Sequence, residues 1–400
     1  MRKTSHLRLL ACEDAWLCAQ GWDTVQEAFA LKPRLEWIVT LTTAKQRAAE
    51  VQDDLEGIVP VQCGPEMLDC HATGAKGGFS FQLTCPDFII MVGSPKRDWT
   101  ISVRYLSAGL WAHGIDALRA RVFACLADTT DQLTLDCVRV SRADWCFDFY
   151  APSFDNRYTD GDGRPLRALE GLVMHQRMKA RIHGSAGMVD DDDYIVRPGF
   201  FETVTIGSKS GCQVQFYDKT REIDEMSGKT WLYDVWKAGL GFDPWGDDKP
   251  DKVWRLECRF AADFLKERNL RRPFELLKER PKLVAEALMT RRLAIASEDQ
   301  NRSRWPVHPL WSEAFRCAAV DHLLPVGRKV IGRRSELIDQ CLKQLAGLLR
   351  NCSVLTVGAD DCDTRADLVK RAIDYLESDP HHQKKIDRAM DRYAAVDFAR

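Results

Sequence analysis

The sequence predicts an α+β protein: a mostly antiparallel sheet with one polar face and flanking helices, followed by a mainly helical C-terminal domain. Three observations predict it. Residues 35–260 hold several short runs rich in β-branched and aromatic side chains, separated by Gly, Pro and Asp. Three of those runs alternate strictly between apolar and charged or polar positions, as half-covered strands do. After Ala261 the strand character stops and apolar residues recur at helical spacing to the end. The boundaries read as an N-terminal segment 1–33, an α+β domain 34–265 and a helical domain 266–400.

In chain order, Thr24–Leu31 reads as a short helix ended by Pro33, and Glu36-Trp37-Ile38-Val39-Thr40-Leu41-Thr42 as a strand. Ala44–Leu55 reads as a helix. Phe79–Leu83, Phe88–Val92 and Trp99–Tyr105 follow as strands, and Gly114–Leu126 as a helix with Ile115, Leu118, Val122 and Leu126 along one side. Leu133–Tyr150 carries two strands' worth of β-formers. Leu166–Lys179 reads as a helix inside a polar stretch that includes Asp190-Asp191-Asp192-Asp193, read as a solvated loop. Glu202–Ile206 and Cys212–Lys219 form a hairpin around Gly207-Ser208-Lys209-Ser210-Gly211, and Val253–Phe260 is one more strand. The helices beyond are Asp263–Leu270, Phe274–Arg280, Lys282–Ile295, Pro309–Leu324, Ser335–Arg350 and Thr364–Leu376.

Composition narrows the class. The 400 residues carry 57 Lys+Arg against 59 Asp+Glu, a net charge of −2, with 45 % apolar residues. These are the proportions of a globular chain with a sizeable core. No apolar run approaches the roughly 20 residues of a membrane span, and the opening Met1–Asp14 has too short an apolar core for a secretory signal. The fourteen cysteines are scattered with no Cys-x-x-Cys pair, which reads as a reducing cytoplasm rather than a disulfide or zinc framework. Gly207–Gly211 lacks P-loop spacing, and no serine sits in a nucleophile elbow.

The alternating strands place the chemistry. In Arg142–Phe149, Asp144, Cys146 and Asp148 share a face opposite Ala143, Trp145, Phe147 and Phe149. In Cys212–Lys219, Gln213, Gln215, Tyr217 and Lys219 lie opposite Val214 and Phe216. In Val253–Phe260, Arg255, Glu257 and Arg259 lie opposite Trp254, Leu256 and Cys258. Convergent carboxylates suit a hard divalent cation, Mg²⁺ or Mn²⁺. A phenol beside such a cation is a nucleophile toward phosphate, and Lys219 and Arg255 would neutralise the charge that builds on phosphorus.

These segments resemble the replication initiation factor family, the trans-acting rolling-circle initiators of plasmids and filamentous phages together with related relaxases. The hairpin followed by Tyr217-Asp218-Lys219 and Glu222 is similar to that family's Gly-Ser turn and Tyr-Asp/Asn-Lys strand. Arg142–Asp148 resembles its Arg-x-Asp-x-x-x-Asp strand, Trp254–Glu257 its Arg-x-Glu strand, and Leu35–Leu41 its opening strand. Gln215 stands where the family often has Arg, Glu36 where it has Asp, and no His-hydrophobe-His triplet occurs, so a metal site here would rest on carboxylates.

The resemblance implies a metal-dependent DNA-nicking and strand-transfer endonuclease. It would form a 5′-phosphotyrosine intermediate and leave a 3′-hydroxyl primer, with Tyr217 as nucleophile and Lys219 and Arg255 on the scissile phosphate. Asp144, Asp148, Glu222 and Glu257 would be the ligands of Mg²⁺ or Mn²⁺. The implied partners are double-stranded origin DNA and its nicked single strand, a host helicase and a second copy of the chain, with no membrane. A conjugative relaxase and a non-enzymatic origin-binding regulator are the alternatives. Lys266–Arg292 holds nine Lys/Arg against four Glu, which makes Arg271, Arg272, Lys278, Arg280 and Lys282 the candidate duplex contacts despite the overall charge.

Overall fold

The computed structural model describes residues 15–50, 57–94, 96–154, 178–181, 203–293, 299, 304–318, 334–358, 361–378, 380, 382, 383, 386 and 390. The chain divides into two units, residues 1–266 with 270–325 and residues 267–269 with 326–400.

The first unit is built on thirteen strands among the described residues: β1 (Trp16–Phe29), β2 (Lys32–Pro33), β3 (Ile58–Cys63), β4 (Glu66–His71), β5 (Phe79–Thr84), β6 (Phe88–Gly93), β7 (Ile101–Tyr105), β8 (Thr130–Asp131), β9 (Val138–Tyr150), β10 (Met178–Arg181), β11 (Thr203–Gly207), β12 (Cys212–Asp218) and β13 (Val253–Ala261). Its helices are α1 (Leu35–Glu50), α2 (Ser107–Thr129), α3 (Lys219–Glu222), α4 (Trp231–Leu240), α5 (Ala262–Lys266), α6 (Pro273–Thr290) and α7 (Pro309–Ala318). Eleven strands form one antiparallel sheet in the order β10-β11-β12-β13-β9-β1-β7-β6-β5-β4-β3, and β2 pairs with β8. The second unit holds α8 (Arg334–Val357) and α9 (Cys362–Ser378), packed on each other.

The expected hairpin, the strands at 79–105 and the strand at 253 are present. The helix expected from Gly114 is the second limb of α2, which kinks at that residue's positive φ of 78°. The β-formers at 133–150 make one long strand entered through a single 3-10 turn. The two helices expected either side of Pro281 run as one, α6.

Two expectations near the start are reversed. Thr24–Phe29 is strand and Leu35–Glu50 is helix. In α1 the buried residues Trp37, Leu41, Ala44 and Ala48 recur at helical spacing, so one-sided burial outweighs the β-propensity of its Ile, Val and Thr residues. Thr40, Thr42 and Thr43 direct their hydroxyls to the carbonyls four residues back. The likeness of Leu35–Leu41 to an opening strand is thereby removed. Strands β3 and β4 and helix α4 were not foreseen. Of the helix expected over 166–179, only Met178 and Lys179 are described, and they lie in β10; Asp190–Asp193 lie outside the described residues.

The division between units also falls later than the boundary near 265. Leu276, Leu283, Val284, Ala287 and Leu288 of α6 are buried, and α6 packs across β9, β12 and β13. Leu310, Trp311 and Ala314 bury the inner side of α7, and Phe216 meets Trp311 edge-on at 5.4 Å. No helix among the described residues is long and apolar enough to cross a membrane.

Candidate active site

Strand register assembles the site. Tyr217 is opposite Arg255, which is opposite Asp148, and Gln215 is opposite Glu257, which is opposite Cys146. Arg259 pairs with Asp144, and Ala19, Gly21 and Thr24 of β1 continue the same face. The polar positions of three strands therefore share one side of the sheet, as their alternation required. The other side carries Trp145, Phe147, Phe216 and Trp254 beneath α6 and α7.

The polar side is not a solvated sheet surface. Asp144, Asp148, Arg255, Glu257 and Lys219 are each at most 1 % exposed. Part of the cover is α4, whose Trp236 donates its indole N–H to Asp148 Oδ2 at 2.8 Å. It lies so close to β1 that a Cβ on Gly239 would collide with the Cys18 carbonyl. Trp111 of α2 lies over Gly21.

Buried charges demand partners, and each has one. Arg255 grips Asp148 through Nε (2.6 Å) and Nη2 (2.8 Å), and its Nη1 reaches Asp23 at 2.6 Å. Three of its N–H groups are thus committed. Arg259 forks onto Glu257 at 2.7 and 3.0 Å, and Arg142 holds Asp144 through Nε, shared between both oxygens at 2.9 and 3.0 Å, and Nη2 at 2.6 Å. Lys219 pairs with Glu222, which also accepts from Ser227 at 3.1 Å. The position of Lys219 comes from the turn out of β12, where Asp218 caps α3 by accepting from the Arg221 amide at 3.0 Å.

The half-buried Tyr217 donates its hydroxyl to Glu257 Oε2 at 3.1 Å. Lys219 Nζ stands 5.8 Å from the centre of its ring. Burial, and then the charge of Glu257, push the phenol well above its ordinary range. Burial and the neighbouring Arg255 lower Lys219. Burial and then Glu257 raise Asp144 to about 7, against the pull of Arg142. Gln215, at the position where the family often has Arg, donates to Thr205 Oγ1 at 3.0 Å.

The seven expected catalytic and metal residues therefore fall on or beside one face, but not in one cluster of acids. Among the described residues no group of three or more His, Cys, Asp or Glu is placed to hold a metal. Asp148 is locked to Arg255 and Trp236, and Glu222 to Lys219. Asp144 and Glu257 are held too, by Arg142 and Arg259, but those two guanidiniums are partly exposed. The charge of Glu257 opposes ionisation of Asp144, which a hard cation between them would relieve. Asp144 and Glu257, rather than all four acids, would be the pair to hold Mg²⁺ or Mn²⁺.

The basic residues expected on duplex DNA lie behind the sheet, on and before α6. Arg280 covers the Trp145 ring at 4.2 Å, and Arg271 stands 5.9 Å from the Trp99 ring. Arg272 pairs with Asp136 and Lys282 with Glu279, while Lys278 is exposed. Asp23 and Trp236 were missed by the sequence reading. The first sits at an irregularity in β1 that breaks alternation, and the second lies on a helix that was not recognised.

No family model matches the chain, and no curated protein matches it. Among solved structures it is similar to a rolling circle replication initiator protein from Geobacillus stearothermophilus, with a TM-score of 0.37 and 13 % identity over 78 % of this chain and 99 % of that one. A likeness that distant carries no argument about chemistry, which rests on the side chains themselves.

Proposed function

We propose that this chain nicks one strand of DNA at a replication origin by tyrosine attack and so initiates rolling-circle replication. The observation that carries the reading is Tyr217: a half-buried phenol whose hydroxyl is hydrogen-bonded to a buried carboxylate and flanked by two buried cations, Lys219 and Arg255.

In the proposed step Tyr217 Oη attacks the phosphorus of a phosphodiester. The bond from phosphorus to tyrosine oxygen forms, the bond to the 3′ oxygen breaks, and the 5′ phosphate stays on the protein while the departing 3′ oxygen takes a proton from solvent to become the primer hydroxyl. Glu257 already accepts the phenolic hydrogen and is the group in place to receive that proton. Arg259 keeps Glu257 oriented through two hydrogen bonds. Lys219 and the guanidinium of Arg255, which Asp148 orients, would supply positive charge where the phosphoryl oxygens become more negative. A divalent cation held by Asp144 and Glu257 would add Lewis-acid stabilisation of the same oxygens.

The test is incubation of the full chain with supercoiled DNA carrying its origin, with Mg²⁺ or Mn²⁺. The expected product is relaxed DNA with protein covalently attached to the 5′ end, absent in Tyr217→Phe. Normal nicking by Tyr217→Phe overturns the assignment of the nucleophile. Binding without nicking under either metal overturns the enzymatic reading in favour of an origin-binding protein.

A further inference from the structure

Asp23 is the irregular residue of β1. The ladder with β9 shifts register between Trp22 and Thr24, leaving Asp23 without a partner in the pairing. Such bulges re-aim a side chain and recur beside active sites. Here the bulge aims a carboxylate onto Arg255 Nη1 at 2.6 Å. Arg255 does not need it for burial, since Asp148 already grips the guanidinium by two hydrogen bonds. Asp23 is also where solvent reaches this pair: its side chain is 16 % exposed, against 0 % for Arg255 and for Asp148.

The charges around Asp23 are unbalanced. Burial, which opposes its ionised form, is outweighed by four cations, Arg255, Lys229, Lys219 and Arg259. Three of these have carboxylates of their own in Asp148, Glu222 and Glu257. Lys229 lies between the Gly228 turn (φ 62°) and α4, and it has no carboxylate within ion-pair distance among the described residues. Asp23 thus answers the one cation of the four that lacks a carboxylate of its own, on the side of the cluster that solvent reaches.

We propose that this cationic cluster is a phosphodiester site formed by Lys229, Lys219 and Arg255, and that Asp23 is its resident counter-ion, holding the place on Arg255 Nη1 that a phosphate oxygen takes when DNA binds. The inference rests on the reading of Tyr217 as a nucleophile toward DNA. A phosphodiester and a carboxylate each carry one negative charge, so the exchange gives Arg255 Nη1 a partner of the same charge. A bulge residue can withdraw without breaking a ladder hydrogen bond. Lys229, unlike Lys219, has its charge uncommitted for the incoming phosphate.

The experiment uses the full chain in EDTA and measures binding of a short fluorescent single-stranded oligonucleotide by anisotropy across a salt series, with inorganic phosphate as competitor. Lys229→Met is expected to weaken binding about 3- to 10-fold and to reduce the slope of log K against log salt by roughly 0.7, the loss of one phosphate contact. Asp23→Asn is expected to tighten binding several-fold, which removal of a purely structural ion pair would not do. Phosphate should compete less well against Lys229→Met than against the native chain. The proposal falls if Lys229→Met keeps native affinity and slope, or if a folded Asp23→Asn binds equally or more weakly. Should Asp23→Asn not fold, Lys229→Met decides alone. A native chain that nicks through Tyr217 while both variants bind as it does overturns this site and leaves the proposed function standing. A native chain that binds no oligonucleotide overturns both.

Discussion

Phe216 and Tyr217 are neighbours on one strand, and they belong to two different kinds of interior. Phe216 faces a dry layer, stacked on Trp254 at 5.1 Å and edge-on to Phe154 and Trp311 at 5.4 Å. Tyr217 faces a layer nearly as well buried but held by forked ion pairs. Apolar burial contributes stability in proportion to area, whereas buried ion pairs return little beyond the cost of desolvating them. A chain seeking stability alone would make both layers like the first. The charged layer is thus what the proposed chemistry asks of the fold, and the aromatic layer is the scaffold that makes it tolerable.

The sharpest way to break that comparison is to alter the two neighbours separately. Tyr217→Phe should abolish the covalent adduct while leaving Tm close to native, because only one hydrogen bond is lost and Glu257 keeps Arg259. Phe216→Ala should do the reverse. It should cost about 3–5 kcal/mol of stability, a fall of about 10 °C in Tm, while adduct formation survives at low temperature. Adduct assays and thermal melts on the same two samples separate the layers. Adduct formation by Tyr217→Phe, or native stability in Phe216→Ala, would contradict the division.

Next in size is Asp148→Asn. Arg255 is fully buried and would keep only the Asp23 carboxylate, so the loss should reach about 3–5 kcal/mol, the range for breaking one side of a buried pair. Arg255→Gln added to Asp148→Asn should recover part of that loss, because the uncompensated charge is gone. Denaturant melts measure both. Further loss in the double variant would show that Arg255 stabilises the fold by something other than its charge pairing.

A smaller effect comes from pH. Native Asp144 holds its proton to about pH 7, whereas an unfolded carboxyl releases it near 4. Between those values the native state binds more protons, so this group's contribution to stability falls as pH rises from 4 to 7 and levels off above. In EDTA, Asp144→Asn should therefore lose less stability than the native chain between pH 5 and pH 8, with Tm at pH 8 higher by about 2–4 °C. Mg²⁺ or Mn²⁺ held by Asp144 and Glu257 should raise Tm of the native chain at pH 8 and leave the variant unmoved. Equal pH profiles would show that Asp144 ionises normally.

What could be read from the sequence follows from the same physics. Alternation is strict where one face is apolar and the other charged, so the polar positions of β9, β12 and β13 were legible, and with them Tyr217, Lys219, Asp144, Asp148, Arg255 and Glu257. Strand β1 was not legible, because both of its faces are covered and it carries register shifts at three places; Asp23 was lost with it. Helix α1 was misread because its β-branched residues mask a helical burial pattern. The roles drawn from charge alone also needed the fold. Four acids looked like one metal set, but each is paired with a base, two of them with fully buried ones, and pairing of that kind leaves no trace in spacing.

The weakest expected effect tests what the back of the sheet does. Helix α6 lies on the aromatic side, away from Tyr217, and offers Lys278 as an exposed charge near Arg280, which is spent on the Trp145 ring. Contacts made there would serve a duplex arm rather than the strand being cut. Lys278→Ala should therefore weaken binding of origin duplex a few-fold, with a salt slope lower by about 0.9. It should leave nicking of a single-stranded oligonucleotide at the native rate. Electrophoretic mobility shifts on the duplex and adduct yield on the oligonucleotide read the two separately. An equal loss on both substrates would place duplex and single strand on one surface, and the functional division between the two faces would fail at the level of DNA.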